Sequence, residues 1–405
     1  MAGSVAVVAV VAAVGVGAAS FLGGSGGVQQ DSQGREVIAG VIEKEPSIVW
    51  SQDLSGDQWA RVVGGRLVLG KEQRSTVLDL KGEELHEFDG VVTGGNGEFM
   101  LTMPDSRSVD GYAEEVVLLR ADTGEEVWRV DAKAHDESAF RFTEQGLLTN
   151  ATEGGGVVML DYKDGAELWS IDDVKAQQGL WEEGNFVAAV TERDELIVRD
   201  LEGDELMRVD LDLEPDTWPD LEVSGDTLAV RIDQNILAFN VRTGEEIWQE
   251  EINLDEDYAH IDYFGSFSMS ALPGDALLVE VHESDDDEAT RFVVGADGEK
   301  RDYQYEAGPM FLFEEDGEEY AYLGDDESLV VDAQLEKVAR VNDVVEHVKG
   351  GFYTLDDDRV GYVPFGDSKE TWTFDLGLDS ESYASIHAVP DGIVASWDDE
   401  VVILK

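Results

Sequence analysis

The chain has 405 residues, 42% of them hydrophobic, which is enough for a large core and argues against global disorder. Asp and Glu number 90 against 28 Lys and Arg, a formal net charge of −62 that repels phosphate backbones and anionic lipid headgroups and so disfavours nucleic acid and peripheral membrane binding. The absence of cysteine excludes disulfides, thiolate nucleophiles, cysteine zinc sites and a lipidated cysteine.

In chain order, residues 1–27 come first as a membrane anchor or signal segment. MAGSVAVVAVVAAVGVGAASFLGG is uncharged, and Val5 to Leu22 is long enough to cross a hydrocarbon core. Its length favours a single-span anchor over a cleaved export signal, for which Gly17-Ala18-Ala19 offers small residues. The acidic bulk is then expected outside the cytoplasm, on the membrane or, after cleavage, secreted. Residues 28–46 read as a flexible linker.

From residue 47 onward one short phrase recurs. It is LDLKGEELHEFD at Gly82, LLRADTGEEVWRVD at Gly124, LDYKDGAELWSID at Gly165, VRDLEGDELMRVD at Gly203, FNVRTGEEIWQEE at Gly244 and VVGADGEKRDYQY at Gly298. Each phrase is an apolar strand, a turn whose glycine supplies positive φ, and a second strand of period 2. In the second strand Trp128, Trp169, Met207, Trp248 and His86 share one recurring position, which suits a packing slot between units; His86 is read there as packing, not as a metal ligand. Two more short strands lie between phrases, as in AFRFTEQGLLTNATEGGGVVMLDY, and no segment from Pro46 on carries an apolar helix stripe.

A period near 40 residues without helices predicts an all-β propeller of four-stranded blades. The fourth strands fall near Trp50, His86, Trp128, Trp169, Met207, Trp248, Asp302, Ala339 and Trp372, which counts nine blades; the last three units are degenerate, so eight remains open. The chain ends on two strands without a fourth, and PSIVWSQDL near the start reads as a fourth strand without its blade. The N-terminal strand is therefore expected to close the last blade.

On these residues the sequence resembles the quinoprotein-like, or PQQ-like repeat, β-propeller family. Ala238, Asn240, Gly244 and Trp248 are similar to its A-x-D-x-x-x-G-x-x-x-W tryptophan-docking repeat, and Asp161-Gly165-Trp169 and Gly124-Trp128 to its second half. The pattern departs at Arg120 and Asn240, where the motif has an acid, and is one residue shorter at Gly82 and Gly203. The resemblance implies one of two branches. One comprises dehydrogenases that use pyrroloquinoline quinone with calcium; the other comprises scaffolds such as the Gram-negative outer-membrane assembly lipoprotein. The cysteines found in many of the enzymes and at the lipoprotein anchor are absent here, and no stretch matches the calcium ligands.

Other chemistry is sparse. The six histidines, His86, His135, His260, His282, His347 and His387, show no metal-ligand spacing, and there is no P-loop or nucleophile elbow. Gly94-Gly95-Asn96-Gly97 reads as a turn. Asp285, Asp286 and Asp287 in HESDDDEAT, and Asp356 to Asp358, are acidic clusters without EF-hand spacing; they read as solvated loops first and as weak cation sites second. The expectation is a membrane-tethered, extracytoplasmic, non-catalytic propeller that binds a protein or polymer partner with basic character. It would hold no cofactor and no nucleic acid. The alternative is a PQQ- or metal-dependent oxidoreductase.

Overall fold

In PDGIVASWDDEVVILK the two apolar runs Gly392–Trp397 and Glu400–Leu404 pair as antiparallel strands, and both are buried because neighbouring sheets cover both of their faces. Their outer neighbour comes from the other end of the chain. Ile48–Asp53 pairs antiparallel with Glu400–Leu404, setting Ser51 opposite Val402 and Gln52 opposite Val401. The predicted closure of the last blade by the N-terminal strand is therefore the observed topology.

The computed structural model describes residues 28–30, 36–38, 41–42 and 44–405, apart from 57, 72, 104–112, 135–139, 151–155, 175–179, 184–185, 214–216, 218, 233, 252–266, 282–289, 325–327, 357, 379–383 and 398–399. Among these residues lie nine four-stranded antiparallel sheets, a two-stranded one (Val28–Gln30 with Glu36–Ile38), and no helix. Blades 1 to 8 span 58–89, 91–134, 140–172, 180–210, 220–251, 267–302, 309–340 and 344–375; blade 9 joins 385–404 to Ile48–Asp53. The count left between eight and nine is nine.

The core is divided among the gaps between blades. Nine apolar clusters each straddle two neighbouring blades, the last joining Leu67, Leu69 and Leu78 of blade 1 to Val389, Val394, Val401 and Ile403 of blade 9. No blade buries its apolar faces alone, so the ring is held by the sum of its neighbour contacts. First strands of adjacent blades approach one another and form the inner wall; fourth strands form the rim.

Because the four strands alternate in direction, the first-to-second and third-to-fourth turns share one face of the ring. We call this the turn face. The second-to-third strand ends and the fourth-to-first strand ends meet on the opposite, loop face.

Two sequence expectations change. Gly94 and Gly95 lie inside the strand Val91–Gly95, not in a turn. Gly95 is needed by packing, since a Cβ there would fall 2.7 Å from the Phe99 carbonyl oxygen and 2.9 Å from Val63 Cγ1. The stretch read as a linker, 28–46, holds the two-stranded sheet, and its Ile42 is buried in the core between blades 8 and 9. The segment 1–27 lies outside the described residues; among those described, no helix is long and apolar enough to cross a membrane.

Candidate interaction surface

The repeated phrase builds a joint between blades. In each case the turn glycine has positive φ, and the large residue of the preceding blade's fourth strand sits over it. Trp50 lies over Gly82, His86 over Gly124, Trp128 over Gly165, Trp169 over Gly203, Met207 over Gly244 and Trp248 over Gly298. A Cβ on Gly82 would fall 2.0 Å from Trp50 Cδ1, and one on Gly203 2.5 Å from Trp169 Cδ1. Two indoles also donate to the turn itself, Trp128 Nε1 to the Tyr162 carbonyl (3.2 Å) and Trp169 Nε1 to that of Leu201 (2.9 Å).

The acid of the motif has a local task. Asp161 Oδ1 accepts the Lys163 N–H at 2.8 Å, and Asn240 Oδ1 accepts those of Arg242 and Thr243 at 3.1 and 3.0 Å, so Asn240 keeps the turn as an acid would. Arg120 cannot accept, and its guanidinium instead pairs with Glu98 at 2.8 Å.

Near the inner wall, carboxylates tie one blade to backbone N–H groups of the first strand or first turn of the next. Glu222 of blade 5 accepts the Ala271 N–H of blade 6 at 2.9 Å, Glu315 of blade 7 accepts that of Gly350 in blade 8 at 2.9 Å, and Glu346 of blade 8 accepts that of Ala388 in blade 9. Burial pushes the Glu346 carboxyl up to about 7, opposed by the Ala388 hydrogen bond. His347 Nε2 lies 3.6 Å from Glu315 Oε2 in a pocket of Phe313 and Phe352. Burial lowers the pKa of His387 on the first strand of blade 9, and that of His86, where Arg66 adds to the effect.

Many basic side chains are already committed to carboxylates. Arg129 bridges Glu115 and Glu126, Arg208 bridges Glu195 and Glu205, and Arg291 pairs with Glu280. Asp356 of the second acidic cluster pairs with Arg359, and the Asp358 carbonyl accepts the Leu376 N–H. Asp285, Asp286 and Asp287 lie outside the described residues, as do His135, His260 and His282. Among the described residues there is no group of three or more His, Asp or Glu that could hold a metal ion.

The outer strands also carry exposed aliphatics. Val49, Leu85, Leu168, Leu206 and Val338 each immediately precede the slot position of their strand and are solvent-exposed. At Leu206 the surface opens into a groove of about 350 Å³ on the turn face, reaching from the Glu144–Gln145 turn of blade 3 to Asp226 and Arg242 of blade 5. A second hollow of about 650 Å³ lies between blades 7 and 8, with Arg340, Asp343, Asp356, Lys369 and Glu370 among its walls.

Residues 112–272 match the family model described as outer membrane protein assembly factor BamB. The chain carries PQQ-like propeller repeats. Among solved structures, BamB from Moraxella catarrhalis is 13% identical, with 89% of this chain and 99% of that one covered and a TM-score of 0.41. The computationally designed Ika8 protein is 14% identical, covering 78% and 96%, with a TM-score of 0.43. The quinohemoprotein alcohol dehydrogenase ADHIIG from Pseudomonas putida HK5 is 10% identical, covering 91% and 78%, with a TM-score of 0.42. At these identities and scores the structural likenesses say nothing about function. No curated protein matches the sequence.

The PQQ-like repeat thus accounts for Gly82, Gly124, Gly165, Gly203, Gly244 and the tryptophans above them as joints of the ring. The groove residues were not singled out by the repeat. Leu206 stands at the same position of its phrase as Leu168, and only the neighbouring turns of blades 3 and 5 make a hollow beside it.

Proposed function

We propose that the protein is an extracytoplasmic β-propeller, tethered to the membrane through residues 1–27, that binds a protein partner and performs no chemistry itself. The observation that carries this reading is the match of residues 112–272 to a family described as a protein assembly factor. The charge supports a basic partner: a net −62 accelerates encounter with cationic surfaces and makes the complex salt-sensitive. PQQ and calcium have no part in this reading.

The test is cross-linking of the tagged full chain in intact cells, capture from membranes and mass spectrometry, beside a form lacking residues 1–30. A specific protein partner, released at high salt and lost without the anchor, is the expected result. Recovery of no partner at low salt, or a melting temperature raised by PQQ with calcium, would overturn it.

A further inference from the structure

The groove beside Leu206 combines an apolar floor with an acidic surround. Its walls include Phe186, Leu201 and Val241, which are buried in the cores flanking blade 4, while Leu206 itself is 36% exposed and faces the opening. Around this apolar floor stand the carboxylates of Glu144, Asp200, Glu202 and Asp226. The one cation of the lining, Arg242, is already held by Asp226 at 2.6 Å. Gln145 Nε2 donates to Glu202 at 3.2 Å and fixes that side chain across the gap between blades 3 and 4.

An apolar floor inside an acidic rim fits one kind of chain. Lysine and arginine lay aliphatic stems on apolar surface and carry the charge at the tip, so a basic segment satisfies floor and rim together. An acidic or purely apolar segment satisfies at most one of them. The walls are short turns, fixed by Gly203, Gly225 and Gly244 at positive φ, so little ordering cost falls on this side of the contact. The hollow runs over the turn face across three blades, which suits an extended segment.

We propose that this groove docks an extended basic segment of the partner protein, with an aliphatic side chain against Leu206 and a lysine or arginine among Glu144, Asp200 and Glu202. The proposal rests on the binding reading above and names where and by what chemistry the partner is held.

The probe is a fluorescein-labelled Leu-Lys-Leu-Lys-Leu peptide, with Leu-Glu-Leu-Glu-Leu as its counterpart, titrated with the full chain and followed by anisotropy. The lysine peptide is expected to bind and the glutamate peptide not. Leu206→Asp and the double variant Glu144→Gln/Glu202→Gln should each weaken binding about tenfold or more. Leu85→Asp and Glu84→Gln, at the corresponding rim position of blade 1, should leave it unchanged. Both groove variants change surface side chains, so the fold is kept and circular dichroism verifies it. No binding of the lysine peptide, or equal binding by all variants, overturns the proposal, because the acidic surface at large would then be the only attraction. In the cellular capture, a Leu206→Asp protein that recovers the same partner as wild type removes the groove and leaves the binding reading standing. A wild-type protein that captures nothing removes the binding reading and the groove's occupant with it.

Discussion

Trp372 Nε1 donates to the carbonyl of Ile42 at 2.7 Å, joining residues 330 positions apart. This is the tryptophan-to-turn bond of Trp169 and Leu201 rebuilt from another part of the chain. Blade 9 has no turn between its third and fourth strands, because its fourth strand begins the propeller. The segment before that strand takes the place of the missing turn. Tyr353 reinforces it, its hydroxyl oxygen accepting the Ile42 N–H at 3.0 Å.

Removing this bond should loosen the closure. Trp372→Phe keeps most of the ring's bulk and leaves the buried Ile42 carbonyl without its donor, a loss of about 1–3 kcal/mol. A chain beginning at residue 47 loses the Ile42 contacts altogether and should fall further. Urea denaturation of the three forms measures both steps. Equal midpoints would show that the segment before residue 47 adds nothing to the ring.

The glycine joints differ in a way that separates backbone strain from docking. Gly203→Ala and Gly244→Ala both place a Cβ at positive φ, +94° and +68°, which costs about 1 kcal/mol each. At Gly244 the new atom meets Met207 Cγ at 3.5 Å, an ordinary contact. At Gly203 it meets Trp169 at 2.5 Å, so the indole must leave and its bond to Leu201 breaks. Gly203→Ala should therefore cost about 3 kcal/mol in total. Thermal denaturation of the two variants tests the gap, and near-UV circular dichroism should change only for Gly203→Ala.

How much of this could be read from the sequence depends on what each residue answers to. The ring was legible because every blade must solve the same packing problem, so glycine and tryptophan recur in register from Gly82 to Trp248. The degenerate units were legible by position alone: Leu335 occupies the turn of blade 7 at φ +60°, without a glycine. Ile42 was not legible, since it fills a slot that occurs once and follows a stretch with linker composition. Gly95 was read as a turn because a glycine needed for close packing looks the same in sequence as one needed for φ. The groove depends on turns from three blades, and no period links Leu206 to Glu144.

His86 occupies a slot that elsewhere holds tryptophan, and both of its ring nitrogens are buried without a hydrogen-bond partner among the described residues. Burial holds its pKa below the ordinary 6.5, with Arg66 adding and Asp122 opposing. The unfolded chain then binds a proton that the folded chain refuses, so this site removes stability as pH falls below about 6.5. His86→Trp should abolish that loss and raise stability at neutral pH by about 1 kcal/mol, as an unsatisfied polar ring gives way to a larger apolar one. Denaturation midpoints of wild type and variant at pH 7.5 and 5.5 measure it; a difference that does not widen at the lower pH would contradict the assignment.

Glu346 works in the opposite sense. Its side chain leaves blade 8 to accept the Ala388 N–H of blade 9, and burial raises its pKa from the ordinary 4.5 to about 7. Between those two values the folded protein holds a proton that the unfolded chain has released, so stability from this site is full below pH 4.5 and declines as pH rises to about 7. The decline amounts to about 3 kcal/mol at most. Glu346→Gln keeps a carbonyl oxygen for Ala388 and has nothing to titrate. Its stability should therefore overtake that of wild type as pH rises from 5 to 8, while the two remain close at pH 5. The comparison between the two proteins cancels the self-repulsion of the other carboxylates, which would dominate a wild-type curve alone. Parallel pH profiles would show that Glu346 is charged in the fold throughout, and the Ala388 bond would then be the stronger of the two influences on it.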